Sequence, residues 1–372
     1  MPHAKLAPSS AARRMACPGS RALEEKYPQT EESLAAREGT AAHWVASESI
    51  AYGKCIMSDT TPHGEFVTEE MLEGAELYTE TIASLYVKDN QGELPDIHIE
   101  SRVDISNVHP ECYGTPDCWF VVNEHLHVID YKFGHGYVDV YENWQLLEYA
   151  AGLIQTQIVS KITLTIVQPR CYTPEGTVRS WTITAPELYS YISRLKEAEA
   201  GAMQPDAVCI PSPECKHCSA RHACAALSRT VGKIVDTLKQ SESFDLTPSQ
   251  TSRELRSLKH AAVLLDARMT GLEEQTKAMI TRGELVPGFK LEPVSSREQW
   301  TKDREEIITL GEMMGIPLSK PAEPITPAQA RKAGIPDEIL TQYAQRFPGK
   351  LKLVEETRAG KVFKSVDTGV NK

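Results

Sequence analysis

Residues 114–132 read GTPDCWFVVNEHLHVIDYK, and this stretch decides the fold. Two apolar, β-prone runs, 118–124 and 126–132, flank a short turn, which predicts a β-hairpin. Side chains alternate across a strand, so Asp130 and Lys132 are expected on one otherwise apolar face. A carboxylate and an ammonium on such a face are costly to bury unless they serve a purpose. The hairpin is therefore the first place to look for chemistry.

Asp117 enters the neighbouring strand and is expected to reach the same point in space as Asp130. Two carboxylates that converge beside Lys132 suit a hard divalent cation such as Mg²⁺ or Mn²⁺. Such a cation polarises a phosphodiester and lowers the pKa of a bound water. The lysine then orients that water or neutralises charge that develops on the phosphate. The same residues also fit a surface hairpin in which Asp130 and Lys132 form an ion pair.

Composition places the chain among soluble globular proteins. Its 372 residues suffice for one large domain or two ordinary ones, and 41% are hydrophobic. Neither a membrane-length apolar run nor a secretion signal is visible, so we expect a cytoplasmic protein with no membrane partner. The net charge of −11 argues against a generally basic nucleic-acid-binding surface. It is compatible with a nuclease whose positive charge lies in one groove.

The periodicity around the hairpin predicts a mixed α/β arrangement. Helices are expected over 31–51, after Thr68, over 141–156 and over 185–200, and further strands over 96–105, 161–168 and 178–184. This order predicts a mixed β-sheet with helices packed against it.

Four further side chains are candidates for the same site. His43 follows Gly39 by four residues in the first helix, and it is either a partly buried surface histidine or a group at the metal. Gln145 and Tyr149 are four residues apart and share one helical face, so they are either a pair at the site or a polar residue beside a core tyrosine. Glu100 is an optional extra carboxylate, although the strand pattern favours a solvent-facing position for it.

A second signal is the C-x₂-C-x₅-C spacing of Cys215, Cys218 and Cys224. In a reducing compartment, clustered cysteines are metal ligands before they are disulfides. Tetrahedral metals and cubane clusters usually take four ligands, and zinc is the generic interpretation. The candidates for the fourth ligand are His217, His222, Cys209 and Cys17. The cysteines with no partner in this pattern are interpreted as small apolar residues: Cys55, Cys112, Cys118, Cys171 and Cys209.

Taken in order, these motifs resemble the PD-(D/E)xK superfamily, and within it the RecB-like nucleases of the AddB and CRISPR-adaptation type. The resemblance covers about residues 9–228 and implies a restriction-endonuclease-like core. It implies that His43, Asp117 and Asp130 hold Mg²⁺ or Mn²⁺ and that Lys132 positions the attacking water. Asp130 stands where many members have Glu.

The resemblance also assigns the remaining motifs. It implies that Gln145 and Tyr149 line the DNA path. It further implies that four thiolates hold a 4Fe–4S cluster that staples the core: Cys17, Cys215, Cys218 and Cys224. The expected function is a metal-dependent DNA nuclease, of exonuclease type, in recombination or replication end processing, in a phage- or prophage-borne protein.

The expected partners are DNA, single-stranded or at ends, a recombination protein and a second copy of the chain. An alternative is a DNA-end or partner-binding module that keeps the fold and the metal cluster but cuts nothing. A zinc-stapled protein of unrelated activity is a third interpretation.

The predicted domains are 1–228 for the core, 229–283 for a helical segment and 284–372 for a small α+β extension. A helix from Thr247 to Gly283 carries a heptad-like seam, which is expected on the core first, then on another helix or a second subunit. The seam residues are Leu255, Leu258, Ala262, Leu265, Met269, Leu272, Thr276 and Met279. Short elements are expected over 289–293, 304–314, 327–333, 337–346 and 350–356.

Overall fold

The computed structural model describes residues 4–28, 34–52, 60–89, 96–238 and 246–292. The helices are α1 Ala11–Ala16, α2 Ser20–Lys26, α3 Leu34–Tyr52, α4 Glu69–Asp89, α5 Trp144–Leu153, α6 Ala185–Ala202, α7 Ala225–Leu238 and α8 Pro248–Thr281. The strands are β1 His98–Ile99, β2 Val103–Asp104, β3 Tyr113–Gly114, β4 Cys118–Val122, β5 His125–Tyr131, β6 Lys161–Val167 and β7 Val178–Thr184. The elements predicted beyond residue 292 and Cys55 lie outside the described residues.

The strands form a five-stranded mixed sheet in the order β1-β4-β5-β6-β7, and a separate β2-β3 pair. Neighbours in the large sheet are antiparallel except β5 and β6, which run parallel with Asp130 opposite Ile166. Helices pack on both faces of this sheet. The predicted fold class, a mixed sheet flanked by helices, is therefore confirmed.

Strand β5 is central and buried along its whole length. Leu126 and Val128 pack in one apolar core with α5 and α6, whereas Ile129 and Tyr131 pack in the other with α3 and α4. This alternation places Asp130 on the α5 side of the sheet, as the hairpin pattern predicted.

Local sequence explains the ends of the helices beside the site. Asn143 begins α5, and its side chain accepts the backbone N–H of Leu146. Thr184 begins α6 with a capping box completed by Glu187. Because these two caps fix where the helices start, Gln145 stands in the first turn of α5, over the end of β5.

Two strand predictions were wrong in detail. The predicted strand 96–105 is broken, with β1 in the large sheet and β2 paired to β3. The break comes at Glu100, whose φ of 45° lies in the left-handed region that ordinary residues rarely adopt. Residues 289–292, the described part of the predicted strand 289–293, form no strand.

Helix α8 packs through a different stripe from the predicted seam. Its buried residues are Ala261, Leu264, Ala267 and Gly271. A Cβ on Gly271 would lie 2.6 Å from the Cγ of Arg221, so this glycine permits close contact with the loop around residue 221. The first expectation, that the heptad-like seam packs on the core, was therefore wrong.

Among the described helices, none combines the length and apolar character of a membrane span.

Candidate functional site

One end of the sheet gathers three possible metal ligands. His43, Glu100 and Asp117 each offer a ligand atom, and these atoms all lie within 4.8 Å of one another. The Nδ1 atom of His43 is 3.2 Å from Oδ1 of Asp117. One imidazole and two carboxylates at this spacing form a donor set that fits a divalent cation.

Backbone contacts hold Asp117 in place. Its Oδ2 atom accepts the backbone N–H of Tyr131 at 2.7 Å, which joins the start of β4 to the end of β5. Its carbonyl accepts the backbone N–H of Glu100 at 3.1 Å. The left-handed turn at Glu100 thus brings that side chain back beside Asp117. The geometry around Asp117 is set by the sheet itself.

Asp130 and Lys132 form the other half of the site. Lys132 Nζ donates to Asp130 Oδ1 at 3.1 Å and lies 2.9 Å from Oδ2. Gln145 binds both residues, because its Nε2 donates to Asp130 Oδ1 at 3.0 Å and its Oε1 accepts from Lys132 at 3.3 Å. The amide of Gln145 therefore fixes both charged side chains.

We name these five side chains the acidic pocket: His43, Glu100, Asp117, Asp130 and Lys132. Electrostatic interaction links its halves, since the charge of Asp117 raises the pKa of Asp130 and the charge of Asp130 raises that of His43. The structure thus brings together all of the predicted catalytic residues.

The three carboxyl groups of the acidic pocket have pKa values that are shifted in different directions. Burial raises the pKa of Asp130 to about 6, and Asp117 adds to this while Lys132 opposes it. Glu100 is exposed at the mouth of the pocket, yet partial desolvation by its neighbours and the charge of Asp117 raise its pKa to about 7. Burial acts the same way on Asp117, but the charges of His43 and Lys132 outweigh it and lower the pKa of that carboxyl.

The two basic groups of the pocket, His43 and Lys132, hold a proton more readily than usual. Burial lowers the pKa of His43, but Asp117 reverses this and the net shift is upward. Burial likewise works against the Lys132 ammonium, yet Asp130 and Asp117 raise its pKa overall. Lys132 is therefore a fixed positive charge and not a proton acceptor near neutral pH.

Tyr149 differs from Gln145 in its exposure. Its side chain is 5% exposed, and its hydroxyl donates to the carbonyl of Thr115 at 3.1 Å. A Cβ on Gly114 would lie 2.8 Å from the Tyr149 ring, so the ring packs directly on the segment that leads to Asp117. This burial favours a positioning role for Tyr149 over the predicted contact with substrate.

Glu100 is the pocket residue that the sequence pattern undervalued. Strand alternation predicted a solvent-facing side chain, and Glu100 is indeed exposed. The left-handed turn nevertheless places its carboxylate at the mouth of the pocket. The available signal was the polar run of residues 100–102, which marks the end of β1.

The second cluster is a cavity lined by thiols, which we name the cysteine cavity. The cysteines that line it are Cys17, Cys209, Cys215, Cys218 and Cys224. Each of the four cysteines that the resemblance assigned to a cluster accepts a backbone N–H at its sulfur. The donors are Ile210 to Cys17 at 3.2 Å, Ser212 to Cys215 at 3.4 Å, Ala220 to Cys218, and Leu227 to Cys224 at 3.4 Å.

Amide donors of this kind favour sulfur that carries negative charge, as in a metal-bound thiolate. The fifth thiol, Cys209, interacts with the sulfurs of Cys17 and Cys224. Burial, and then the neighbouring Cys17, raise its pKa to about 12. Cys209 packs as a partly buried apolar side chain and also lines the cavity, so the structure is compatible with both of its predicted roles.

Neither predicted histidine ligand is among the residues that line the cavity. The carbonyl of His217 accepts Arg13, and the ring of His222 packs edge-on against Tyr27. Of the four candidates for a fourth ligand, the structure places Cys17 and Cys209 at the cavity. The cysteines interpreted as small apolar residues are buried at positions 112, 118 and 171.

The fold and these two clusters define a mixed α/β protein with two candidate metal centres. The chain belongs to the family described as "Protein of unknown function (DUF2800)", whose sequence model matches residues 3–360.

Two solved structures of exonucleases are similar to the chain at a low level. The alkaline exonuclease LHK-Exo from Laribacter hongkongensis, in complex with dAMP, is 13% identical, and the match covers 53% of this chain and 87% of that one, with a TM-score of 0.26. A phage-related exonuclease from Haemophilus somnus 129PT is 13% identical over 54% and 94% of the two chains, with a TM-score of 0.27. Scores this low do not establish a shared fold or activity.

Proposed function

We propose that the chain is a metal-dependent nuclease that hydrolyses phosphodiester bonds in DNA. The observation that carries this proposal is the convergence of Asp117, Asp130 and Lys132, with His43 and Glu100 completing the donor set. A hairpin with a purely structural role would need at most the ion pair between Asp130 and Lys132. It does not need three further ionisable groups at the same point.

The cation would be Mg²⁺ or Mn²⁺ held by His43, Glu100 and Asp117, with Asp130 beside them. When bound, it would supply Lewis acidity towards the phosphate and a water of lowered pKa. The separation of pKa values supports this ligand set, since Asp117 is held ionised while Glu100 and Asp130 bind protons more readily. A nearby cation stabilises the ionised form of a carboxylate, and this effect matters most where the pKa of the carboxylate is raised.

Lys132 would act as a fixed positive charge. Its raised pKa favours a role in orienting water or neutralising the phosphate over a role as general base. Gln145 restrains it at 3.3 Å, so its ammonium needs little reorganisation during the reaction. We assign Gln145 to the substrate path and Tyr149 to positioning of the segment before Asp117.

The sequence resemblance supports the finer parts of this proposal. These are DNA as the substrate, an exonuclease mode, a setting in recombination or replication end processing, and a phage- or prophage-borne protein. The same is true of the expected recombination partner and of a cytoplasmic location. An inactive module that only binds DNA ends would keep the same fold. The geometry favours the enzyme, because a binding surface alone does not require buried carboxylates with opposed pKa shifts.

The experiment compares Mn²⁺-dependent cleavage of end-labelled DNA by the wild type, Lys132→Ala and the control Lys161→Ala. Lys161 is an exposed lysine at the start of β6. We expect Lys132→Ala to lose activity by about 10²–10³-fold and Lys161→Ala to keep it. Wild-type protein that binds DNA ends without cutting them would favour the inactive module, and cleavage by Lys132→Ala at the wild-type rate would exclude this site.

We further propose that the cysteine cavity holds a 4Fe–4S cluster on Cys17, Cys215, Cys218 and Cys224. Support comes from the amide donors at these four sulfurs. Zinc on the same thiols is the alternative.

Anaerobic purification distinguishes the two metals, since stoichiometric iron and sulfide support the cluster and colourless protein with zinc excludes it. Cys17→Ser should lose the metal, whereas the matched control Cys209→Ser should keep it. Loss of metal from Cys209→Ser instead would transfer the fourth ligand to Cys209.

A further inference from the structure

A loop with an exposed tip begins one residue after Lys132. The tip is residues 134–137, with the sequence Gly-His-Gly-Tyr, and all four residues are exposed. Since consecutive Cα atoms are about 3.8 Å apart, the Cα of Gly134 lies within about 8 Å of that of Lys132. The tip therefore stands beside the acidic pocket, although it contributes no side chain to it.

Gln168 holds this loop from the inside. Its side chain is fully buried, and its Nε2 donates to the carbonyls of Gly134 and Gly136, both at 2.7 Å. Its Oε1 accepts the backbone N–H of Val138 at 3.3 Å and the guanidinium of Arg179 at 2.6 Å. The side-chain amide thus uses both of its donors and both of its acceptor positions, so the conformation of the loop is fixed.

The same contacts turn two backbone amides outward. The peptide bonds of the loop are trans, and in a trans peptide the C=O of one residue and the N–H of the next point in opposite directions. Because the carbonyls of Gly134 and Gly136 point inward to Gln168, the N–H groups of His135 and Tyr137 point to solvent. Neither N–H has an acceptor among the described residues.

The fold does not require glycine at either position of the tip. Neither Gly134 nor Gly136 has a φ in the left-handed region, where glycine is favoured. A Cβ on either residue would meet no heavy atom of the described chain within 4 Å. Glycine costs conformational entropy on folding, so another cause is needed for its presence. Close approach of a ligand to the backbone is such a cause.

A buried guanidinium stands behind the loop. Arg179 is 4% exposed, and it donates to the carbonyls of Val138 at 3.0 Å and Gly176 at 2.8 Å. Within the described residues its Nε has no hydrogen-bond partner, and no carboxylate forms an ion pair with it. A buried positive charge without a paired carboxylate favours an anion nearby.

We propose that the outward face of residues 134–137 binds the phosphate backbone of a DNA strand, with the N–H groups of His135 and Tyr137 donating to phosphate oxygens. This inference rests on the proposed function and adds to it the contact that leads the strand to Lys132. Backbone amides that point at a ligand suit phosphate and carry no sequence information. Binding through the loop should therefore not depend on the base sequence.

Carboxylates limit where the phosphate can lie. Partial desolvation, and then the charges of Asp139 and Glu175, raise the pKa of the Tyr137 hydroxyl, while Arg179 opposes them. The two carboxylates would therefore repel a phosphate at the phenol end of Tyr137. The contact is made by the backbone of the tip and not by this ring.

The test measures the binding of a fluorescein-labelled, short single-stranded oligothymidylate by fluorescence anisotropy, without added divalent cation. The proteins are the full-length wild type, Gly134→Ala, Gly136→Ala and the matched control Gly232→Ala. Gly232 is an exposed glycine of α7 whose Cβ would also meet no heavy atom within 4 Å. We expect the dissociation constant to rise about tenfold in both loop variants and to stay unchanged in the control. All three variants should keep or raise the melting temperature, because alanine restricts the unfolded chain.

Three results would overturn the proposal. One is equal affinity of all four proteins for the oligothymidylate. Another is a wild type that does not bind it at concentrations up to about 100 μM. The third is weaker binding that comes with a lower melting temperature in the loop variants alone, since the glycines would then serve the fold.

Failure of the loop contact is distinguishable from failure of the proposed function. A chain that binds DNA through the loop but does not cut it with Mn²⁺ would contradict the nuclease and leave the loop contact in place. A chain that cuts DNA, and whose Gly134→Ala and Gly136→Ala variants bind as tightly as the wild type, would contradict the loop contact alone.

The outward amides give a second, direct measurement. In protein labelled with ¹⁵N-tyrosine, the backbone amide signal of Tyr137 should move when the oligothymidylate is added. The signal of Tyr189, an exposed residue of α6, is the control and should not move. A Tyr137 signal that stays in place at a saturating concentration would overturn the assignment of this N–H as a phosphate donor.

Discussion

The acidic pocket and the cysteine cavity are assembled in opposite ways. Three charged groups of the pocket come from a single hairpin and its flanks, and sheet hydrogen bonds hold Asp117 beside Tyr131. The cavity instead joins Cys17 to residues 209–224, which are distant in sequence and lie in loops and short helices. On the proposed function, the pocket would receive a cation at a site formed by the sheet, whereas a metal in the cavity would join distant parts of the chain.

This difference predicts how a substitution at each site affects activity and stability. Backbone hydrogen bonds of the sheet hold the pocket, so a substitution of its charged groups should affect chemistry and spare the fold. At the cavity, a bound metal would contribute to the folding free energy, because its ligands come together only in the folded chain. Damage there should destabilise the core and affect activity only as a consequence.

The largest expected effect is on activity at the pocket. Asp117→Asn keeps an oxygen to accept the Tyr131 amide but removes the charge that binds the cation. We expect cleavage of end-labelled DNA to fall by about 10³-fold or more, with an unchanged melting temperature. Asp96→Asn, at an exposed aspartate, is the control and should be fully active. An equal loss of cleavage activity in both variants would contradict the assignment of Asp117 as a metal ligand.

The next effect is on stability at the cavity. Cys17→Ser opens a loop of about 200 residues, for which chain entropy alone gives a loss on the order of 5 kcal/mol. Denaturant unfolding of anaerobically purified protein measures this change. Cys209→Ser should cost much less. A Cys17→Ser protein as stable as the wild type would show that no metal closes this loop.

A smaller effect is expected at the mouth of the pocket. Glu100→Gln keeps the size of the side chain but removes one of the carboxylate ligands. We expect Mn²⁺ binding, measured by calorimetry, to weaken by about tenfold while the helix content stays constant. Glu124→Gln, at an exposed turn residue, should leave the affinity as it is. Unaltered binding by Glu100→Gln would reduce the ligand set to His43 and the two aspartates.

The smallest effect concerns pH. Metal binding requires ionised carboxylates, so protons compete with the cation once the pH falls below the pKa values of Glu100, about 7, and Asp130, about 6. Affinity for Mn²⁺ should therefore fall as the pH drops through the range from 7 to 6, and protonation of the His43 imidazole, whose pKa is also raised, adds to this fall. Glu100→Gln should remove the upper part of this dependence. A flat profile down to pH 5 would contradict the assignment.

The sheet and most of the acidic pocket could be predicted from the sequence, because they depend on residues that lie close together in the chain. The apolar runs around Asn123 define the hairpin, and strand alternation puts Asp130 and Lys132 on one face. The sequence boundaries of β7 matched its structure closely, since Val178–Thr184 alternates clearly and ends at a helix cap. The domain limits at 228 and 283 remain a prediction.

What sequence reasoning missed depends on contacts between distant residues. The turn at Glu100 breaks the strand pattern because its amide bonds to Asp117. The spacing of Tyr149 to Gln145 allowed either a core tyrosine or a substrate contact, and its packing against Gly114 decides for burial. Cys209 was one of four candidates for the fourth ligand, and only the fold shows that it and Cys17 lie at the cavity while the two histidines do not line it.

The most direct test of the account is anomalous diffraction from crystals of the anaerobically purified protein soaked in Mn²⁺. We predict a manganese peak about 2.0–2.6 Å from ligand atoms of Asp117 and of His43 or Glu100, with Lys132 beside it. We also predict an iron signal in the cysteine cavity. A manganese peak elsewhere, or none at a saturating concentration, would contradict the claim that these side chains form one metal-dependent catalytic site.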